Sequence, residues 1–295
     1  MKVARLPVDP GPAGWNSILP AADAPTPLEA DVSADWLVIG AGFAGLAAAR
    51  RLSQLCPEER IVVLDAKRVG EGPAGRNSGF MIDLPHDLSS DNYGGALDAD
   101  LAQTEDNRRG IGFAAEMARD FGLSDEAFAQ SGKMNAAATD KGHRHNLEFA
   151  QHLAAMGEPH ALLDAEQMKA LTGTDYYVSG LHTPGAAMIQ PALFVRSVAA
   201  GLRSNRVVIH ENSPVCDLTR KGDWVATTPK GRVTAPNVIL AVNGHLQSFG
   251  HMQGRLMHVF TYASMTRALT TEEIERLGGA PVWGATPADP MGTTV

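Results

Sequence analysis

Asp35-Trp36-Leu37-Val38-Ile39-Gly40-Ala41-Gly42-Phe43-Ala44-Gly45-Leu46 sets an apolar strand directly before a glycine-punctuated helix start. In a dinucleotide-binding turn of this kind, Gly40 suits the tight turn off the strand and Gly42 lets backbone approach a pyrophosphate. Gly45 lets the helix pack closely on the sheet. The first helical turn, at Phe43 and Ala44, then offers its N–H groups to the phosphates. A second apolar run, Ile61-Val62-Val63-Leu64, ends in Asp65, 20 residues after Gly45, where a ribose 2′-hydroxyl needs an acceptor. Between the two runs, Leu46, Ala49 and Leu52 recur at helical spacing with Arg50 and Arg51 turned outward. The segment reads as a βαβ unit.

A carboxylate at Asp65 would repel a 2′-phosphate, so NADP is disfavoured despite Lys67 and Arg68. NAD and the ADP half of FAD both remain open on this motif. The next stretch, Gly70-Glu71-Gly72-Pro73-Ala74-Gly75-Arg76-Asn77-Ser78-Gly79-Phe80-Met81, is dense enough in glycine to lie close against a flat group. Within it, Ala74-Gly75-Arg76-Asn77-Ser78-Gly79 resembles the D-amino-acid oxidase-like superfamily of FAD-dependent amine oxidoreductases, which includes glycine, sarcosine and gamma-glutamylputrescine oxidases. The resemblance implies that Arg76, Asn77, Ser78 and Gly79 meet the pyrophosphate and flavin, with Ala66 beside Asp65 on the nucleotide side. Pro184-Gly185-Ala186-Ala187-Met188-Ile189-Gln190-Pro191 is similar to the family's turn into a second nucleotide-domain helix. Val208 to Val215 is similar to its adenine-side strand, with Val215 meeting adenine through backbone. Val233 to Gly244 is similar to its closing strand, with Ala241 and Gly244 passing close to the cofactor.

The implied fold is α/β: a Rossmann-like FAD-binding domain interleaved with a mixed-sheet α+β substrate domain, lacking the family's C-terminal part. The expected division is an extended arm over 1–30, an FAD-binding domain over 31–127 and 185–250, and a partial substrate domain over 128–184 and 251–295. Relatives continue past this point, so a second polypeptide is expected to complete the fold. Two departures from the family pattern are Asp65, where many relatives carry Glu, and His258, where an apolar residue or proline is common. In this family sarcosine oxidase and its nearest kin attach flavin covalently through cysteine. Here Cys56 and Cys216 fall near the nucleotide elements, so non-covalent FAD is expected.

A 44% hydrophobic and 20% charged composition describes a globular chain rather than a disordered or fibrous one. A formal charge of −8 with no basic stripe argues against nucleic-acid binding. Two distant cysteines suggest neither a disulfide framework nor a metal site, and fit a reducing, cytoplasmic setting. No apolar run is long enough for a membrane span. Pro7, Pro10, Pro12, Pro20, Pro25 and Pro27 make the leading segment an extended arm, which Trp15 and Leu19 could anchor to a neighbouring subunit.

Helical spacing recurs over Asn107–Phe121, Asn146–Met156 and Ala165–Leu171, and strands are expected near 131–138 and 176–182. Arg255 to Leu269 alternates so that His258, Phe260, Tyr262 and Ser264 share one face of a further strand, making His258 and Tyr262 candidates for the substrate pocket. His245 lies next to the Asn243-Gly244 turn. His143 and His145 are a poor ligand set and read as surface histidines. The expected chemistry is oxidation of the C–N bond of an amine or amino acid to an imine, with oxygen or another acceptor taking the electrons. An NAD-dependent dehydrogenase and a non-catalytic nucleotide-binding subunit are the alternatives.

Overall fold

The computed structural model describes residues 1–8, 11–85, 87, 90, 93–289 and 292–295. The chain divides into two compact units, one formed by Met1–Asn77, Asp120–Leu123 and Gln190–Met265, the other by Ser78–Arg119, Ser124–Ile189 and Thr266–Val295. These bounds differ from the expected ranges chiefly in giving 78–119 to the second unit and 251–265 to the first.

In the first unit, four parallel strands stand in the order Val207–His210, Ile61–Leu64, Trp36–Ile39, Asn237–Leu240. Ile61–Leu64 is buried at every position, as a parallel strand covered on both faces must be. The helix Phe43–Leu55 packs on the two central strands and on the helix Pro191–Leu202. The opposite face presents Leu37, Ile39, Val62 and Leu64 to Leu218, Ala226, Val233 and Ala235 of a second sheet. That sheet orders Val32–Ser33, Arg232–Ala235, Asp223–Thr227 and Asp217–Lys221. The single closing strand expected over 233–244 is therefore two strands of different sheets, parted at Pro236. Proline cannot donate to a ladder, so the chain leaves one sheet there and enters the other.

Two further expectations are corrected. Arg50 is not turned outward: it is 3% exposed, and its guanidinium pairs with Asp120. The segment Arg255 to Leu269 forms no strand, and Phe260 is 79% and Tyr262 98% exposed. Alternation supplies a face for a sheet, but a strand forms only where a neighbouring strand takes its N–H and C=O groups.

The leading arm packs on its own chain. Val3 and Ala4 donate backbone N–H bonds to Cys216 and Ser248. Glu211 N–H reaches the carbonyl of Thr26, Thr26 Oγ1 donates to Ile209, and Leu28 is buried among the inter-sheet residues. A one-turn helix, Gly14–Ser17, lies against Pro191–Leu202. Asp9 and Pro10 of the arm lie outside the described residues.

The second unit holds a mixed sheet in the order Ala285–Pro287, Lys133–Ala137, Ser179–Thr183, Ala161–Leu163, of which the first pair is parallel and the others antiparallel. Phe149 and Leu153 of the helix Asp140–Met156 cluster with Leu181 and Tyr93 on one face. Met168 of the helix Ala165–Thr172 clusters with Met134, Ala136 and Ala285 on the other. Thr139 caps the longer helix by accepting from Gly142, and Asp164 with Gln167 closes a capping box on the shorter. The expected helix at 107–121 is the end of a longer one, Leu97–Asp120. Phe80–Met81, Ala187–Ile189 and Phe128–Ala129 form a small antiparallel sheet.

Candidate functional site

The glycine turn is built by close backbone packing. Gly40 has φ +105° and donates to the Leu64 carbonyl at 2.7 Å. A β-carbon on it would lie 2.4 Å from the Ala241 carbonyl oxygen, and one on Gly45 would lie 1.8 Å from the Gly40 carbonyl oxygen. Ala241 in turn donates to Ile39 at 2.8 Å, so the ends of the strands Trp36–Ile39 and Asn237–Leu240 and the helix start are locked together. Gly42 is different. It precedes the helix in an ordinary extended conformation, and a β-carbon there would meet nothing nearer than the Ala74 methyl at 3.4 Å. Space is thus left in front of the helix start, where no side chain caps the N–H groups and Phe43 and Ala44 are exposed. Phe43 leans on Phe194 with ring centroids 6.1 Å apart.

Asp65 follows the strand Ile61–Leu64 and serves the same turn. Its Oδ2 accepts from Ala41 N–H at 2.7 Å and its Oδ1 from Lys67 N–H at 2.9 Å. Burial pushes its carboxyl up to about 6, against the opposing pull of those two N–H groups. Each oxygen keeps a lone pair for a ligand hydroxyl. Ala66 beside it is half-buried. Val215 is a core residue, 4% exposed.

Arg76 and Asn77 sit in a loop closed on itself: Gly70 has φ +85°, and a β-carbon on Gly75 would lie 1.9 Å from the Gly70 carbonyl oxygen. The Arg76 guanidinium is engaged with backbone carbonyls, from Nε to Glu71 at 2.7 Å and from Nη2 to Gly11 of the arm. Asn77 donates its amide to Ala74 at 2.9 Å and accepts on its carbonyl from Trp15 Nε1 at 2.8 Å. Ser78 and Gly79 begin the second unit. Ser78 is exposed, and Gly79, at φ +82°, accepts from Ile189 N–H at 2.8 Å.

The structure brings Gly40, Gly45, Asp65 and Ala241 into one hydrogen-bonded turn. It also joins His258 to Gly244, donating from Nε2 to the Gly244 carbonyl at 3.2 Å. Tyr262 it leaves in open solvent. His245 lies in the 3-10 turn Asn243–Phe249. His145 is no surface histidine: it is 7% exposed and meets the Tyr93 ring edge-on at 4.4 Å. His143 bonds Ser179 Oγ at 2.8 Å. Among the described residues no three His, Cys, Asp or Glu side chains are grouped to hold a metal, and no helix is long and apolar enough to cross a membrane.

The whole of 35–293 matches the model of the DAO family, described as FAD dependent oxidoreductase. The chain belongs to this family. It is 26% identical over 256 residues to the probable oxidoreductase OrdL of Rhizobium meliloti (strain 1021), covering 82% of this chain and 56% of that protein. It is 27% identical over 223 residues to the gamma-glutamylputrescine oxidoreductase of Escherichia coli (strain K12), covering 74% and 51%. The chain spans about half the length of the curated relatives it matches. Among solved structures, the fold is similar to glycine oxidase from Geobacillus kaustophilus, with TM-score 0.58 and 17% identity over 71% of this chain and 55% of that one. It is also similar to L-amino acid deaminase from Proteus myxofaciens, with TM-score 0.56 and 18% identity over 74% and 47%. The family's cofactor is FAD, and the chain shares the α/β fold of these solved structures.

Sequence reasoning missed the arm's packing on its own chain and the double engagement of Asp65. Leu28 and Trp15 were the available signals for the first, as the large apolar side chains of a proline-rich segment. For the second, the acceptor at the end of a strand and the turn it must serve lie 24 positions apart, which spacing alone does not connect.

Proposed function

We propose that this chain binds FAD non-covalently and takes part in oxidising the C–N bond of an amine or amino acid to an imine, as one portion of a larger catalytic unit. The observation that carries the reading is the turn in which Gly40, Gly45 and Ala241 pack backbone on backbone while Gly42 keeps its face open and Asp65 stands behind it. In this reading the helix start holds the pyrophosphate, and Asp65 accepts from the ribose and disfavours a 2′-phosphate. When bound, FAD supplies the two-electron acceptor. The chain supplies orientation and a fixed electrostatic surround, and water hydrolyses the released imine. The names of the relatives favour amines and amino acids as the substrate class, and oxygen or another acceptor takes the electrons.

The reading as a portion of a larger unit rests on two observations. The chain covers about half the length of its relatives, and Met257, Val259, Phe260 and Tyr262 are all more than 70% exposed on a segment without strand partners. A second polypeptide that pairs with this segment would bury those side chains and bring His258 and Tyr262 to the substrate.

The test is uptake and turnover. Purified chain incubated with FAD and freed of excess ligand should carry flavin absorbance bands, released on denaturation. A screen over primary amines, N-methyl amino acids and D-amino acids should then give turnover in the completed unit. A chain that carries no flavin after saturation refutes the cofactor assignment.

A further inference from the structure

We infer that the N-terminal segment is a clasp that sets the Gly70–Asn77 loop for the cofactor, with Trp15 and Asn16 as its positioning residues; the inference rests on the FAD reading above. Two adjacent side chains of the one-turn helix Gly14–Ser17 hold the two ends of the loop. Asn16 Nδ2 donates to the Gly70 carbonyl at 2.7 Å, and Trp15 Nε1 donates to the Asn77 carbonyl at 2.8 Å. The turn is fastened in its own place by Gln190 Nε2, which donates to the Trp15 carbonyl at 3.0 Å, and the loop is drawn to the arm again by Arg76, which donates to Gly11.

The loop needs such fastening. A glycine-dense segment has more conformational freedom to lose on ordering than any other, and a ligand that must order it loses affinity accordingly. Fixing Gly70 and Asn77 beforehand removes that cost from the binding step. The clasp is also separable from the core. No residue of Gly14–Ser17 is buried, and a cavity of about 430 Å³ lies under the arm, lined by Gly11, Asn16, Pro20, Arg68, Arg76 and Arg196 among others. The arm is held over that cavity by hydrogen bonds, while its later residues are anchored in the core through Leu28. Loosening the clasp therefore frees the loop and leaves the sheets intact.

Flavin release from the FAD-loaded protein, followed by the rise in flavin fluorescence after dilution, tests this. Trp15→Phe keeps an aromatic side chain, though a smaller one, and removes the donor, and Asn16→Ala removes the second strap. Each should release flavin on the order of fivefold faster than the unaltered protein. Ser17→Ala, whose hydroxyl bonds the Gly14 carbonyl within the arm itself, should release at the unaltered rate. The flavin-free melting temperature should be the same in all four proteins. By reciprocity, FAD should slow protease cleavage within residues 5–22 of the unaltered protein and slow it less in Trp15→Phe. Unchanged release in both strap variants overturns the clasp, and so does a matching fall in their flavin-free melting temperature, which would mark a purely structural role. Failure of the unaltered protein to take up FAD at all is a separate outcome, which overturns the cofactor reading and the clasp with it.

Discussion

Gly45 and Gly40 are in such close contact that a β-carbon on the first would stand 1.8 Å from the carbonyl oxygen of the second. The obstructing atom is backbone held in a strand end and cannot rotate away. The same holds for Gly40 against the Ala241 carbonyl oxygen at 2.4 Å, with a left-handed φ besides. Gly42 shares neither restraint, although it is the middle glycine of the same motif.

Alanine substitutions should therefore separate packing from binding. Gly45→Ala and Gly40→Ala should each destabilise the flavin-free protein by more than about 4 kcal/mol or prevent folding. Gly42→Ala should cost that stability only about 1 kcal/mol, since alanine is a poorer helix cap than glycine but meets no clash, yet impair FAD uptake. Denaturant melts and flavin titrations of the three variants check this, and normal FAD affinity in Gly42→Ala would show that the open face is not the pyrophosphate site.

On the proposed reading, in which Asp65 accepts from the ribose, its ionisation sets a pH dependence for cofactor affinity. Its folded carboxyl is raised to about 6, so the ionised form is the disfavoured one in the flavin-free protein, and this group's contribution to stability declines as pH rises from about 4 to 6. A ribose hydroxyl donates best to the ionised form. FAD affinity should accordingly increase with pH through about 6 and level off above it, by at most about tenfold per pH unit. In Asp65→Asn the dependence should flatten. Because one amide group cannot accept from both Ala41 and Lys67, the variant should also lose about 1–3 kcal/mol of stability.

Lys133 acts in the opposite direction at alkaline pH. Its ammonium is buried, bonding Asn135 and, at 3.1 Å, Thr286, and burial pushes it down to about 8 while Asp83 pulls it up. Between pH 8 and the ordinary lysine value the unfolded chain binds the extra proton, so this group makes stability rise with pH in that window, by up to about 3 kcal/mol. Lys133→Met should lack that increment. Urea melts of both proteins at pH 7.5 and 10, compared by difference, measure it.

His258 and Tyr262 should be indifferent to the stability of this chain. Tyr262→Phe and His258→Ala are each expected to change it by less than about 0.5 kcal/mol, because one side chain is in solvent and the other makes a single exposed bond. In a completed catalytic unit the same variants should alter kcat or KM without altering flavin content. Unchanged kinetics in both would return the segment to a connecting role.

The parts of the molecule legible in the sequence were those whose cause is local. The apolar run before Gly40, the helical spacing of Leu46, Ala49 and Leu52, and the carboxylate closing the second strand each follow from neighbours in the chain. Arg50 was misjudged because the periodicity sees only its own helix, while the partner that allows its burial, Asp120, comes 70 positions later. Arg255 to Leu269 was misjudged for the complementary reason: its alternation is strand-like, but a strand depends on a neighbour that no pattern within the segment can supply. The arm carries no periodicity at all, and its place is set by carbonyls of distant loops.

The seam at Pro236 governs when the glycine turn can mature. Gly40 is sterically completed by Ala241, which the chain reaches only after passing through the second unit and back across two sheets. Closure of the turn thus joins residues some 200 positions apart, the kind of non-local contact that is made late and slowly. During synthesis the glycine motif emerges early but stays without its opposing wall until the strand Asn237–Leu240 has left the ribosome. A nascent chain arrested before that strand should be unable to retain flavin, whatever the state of its first βαβ unit.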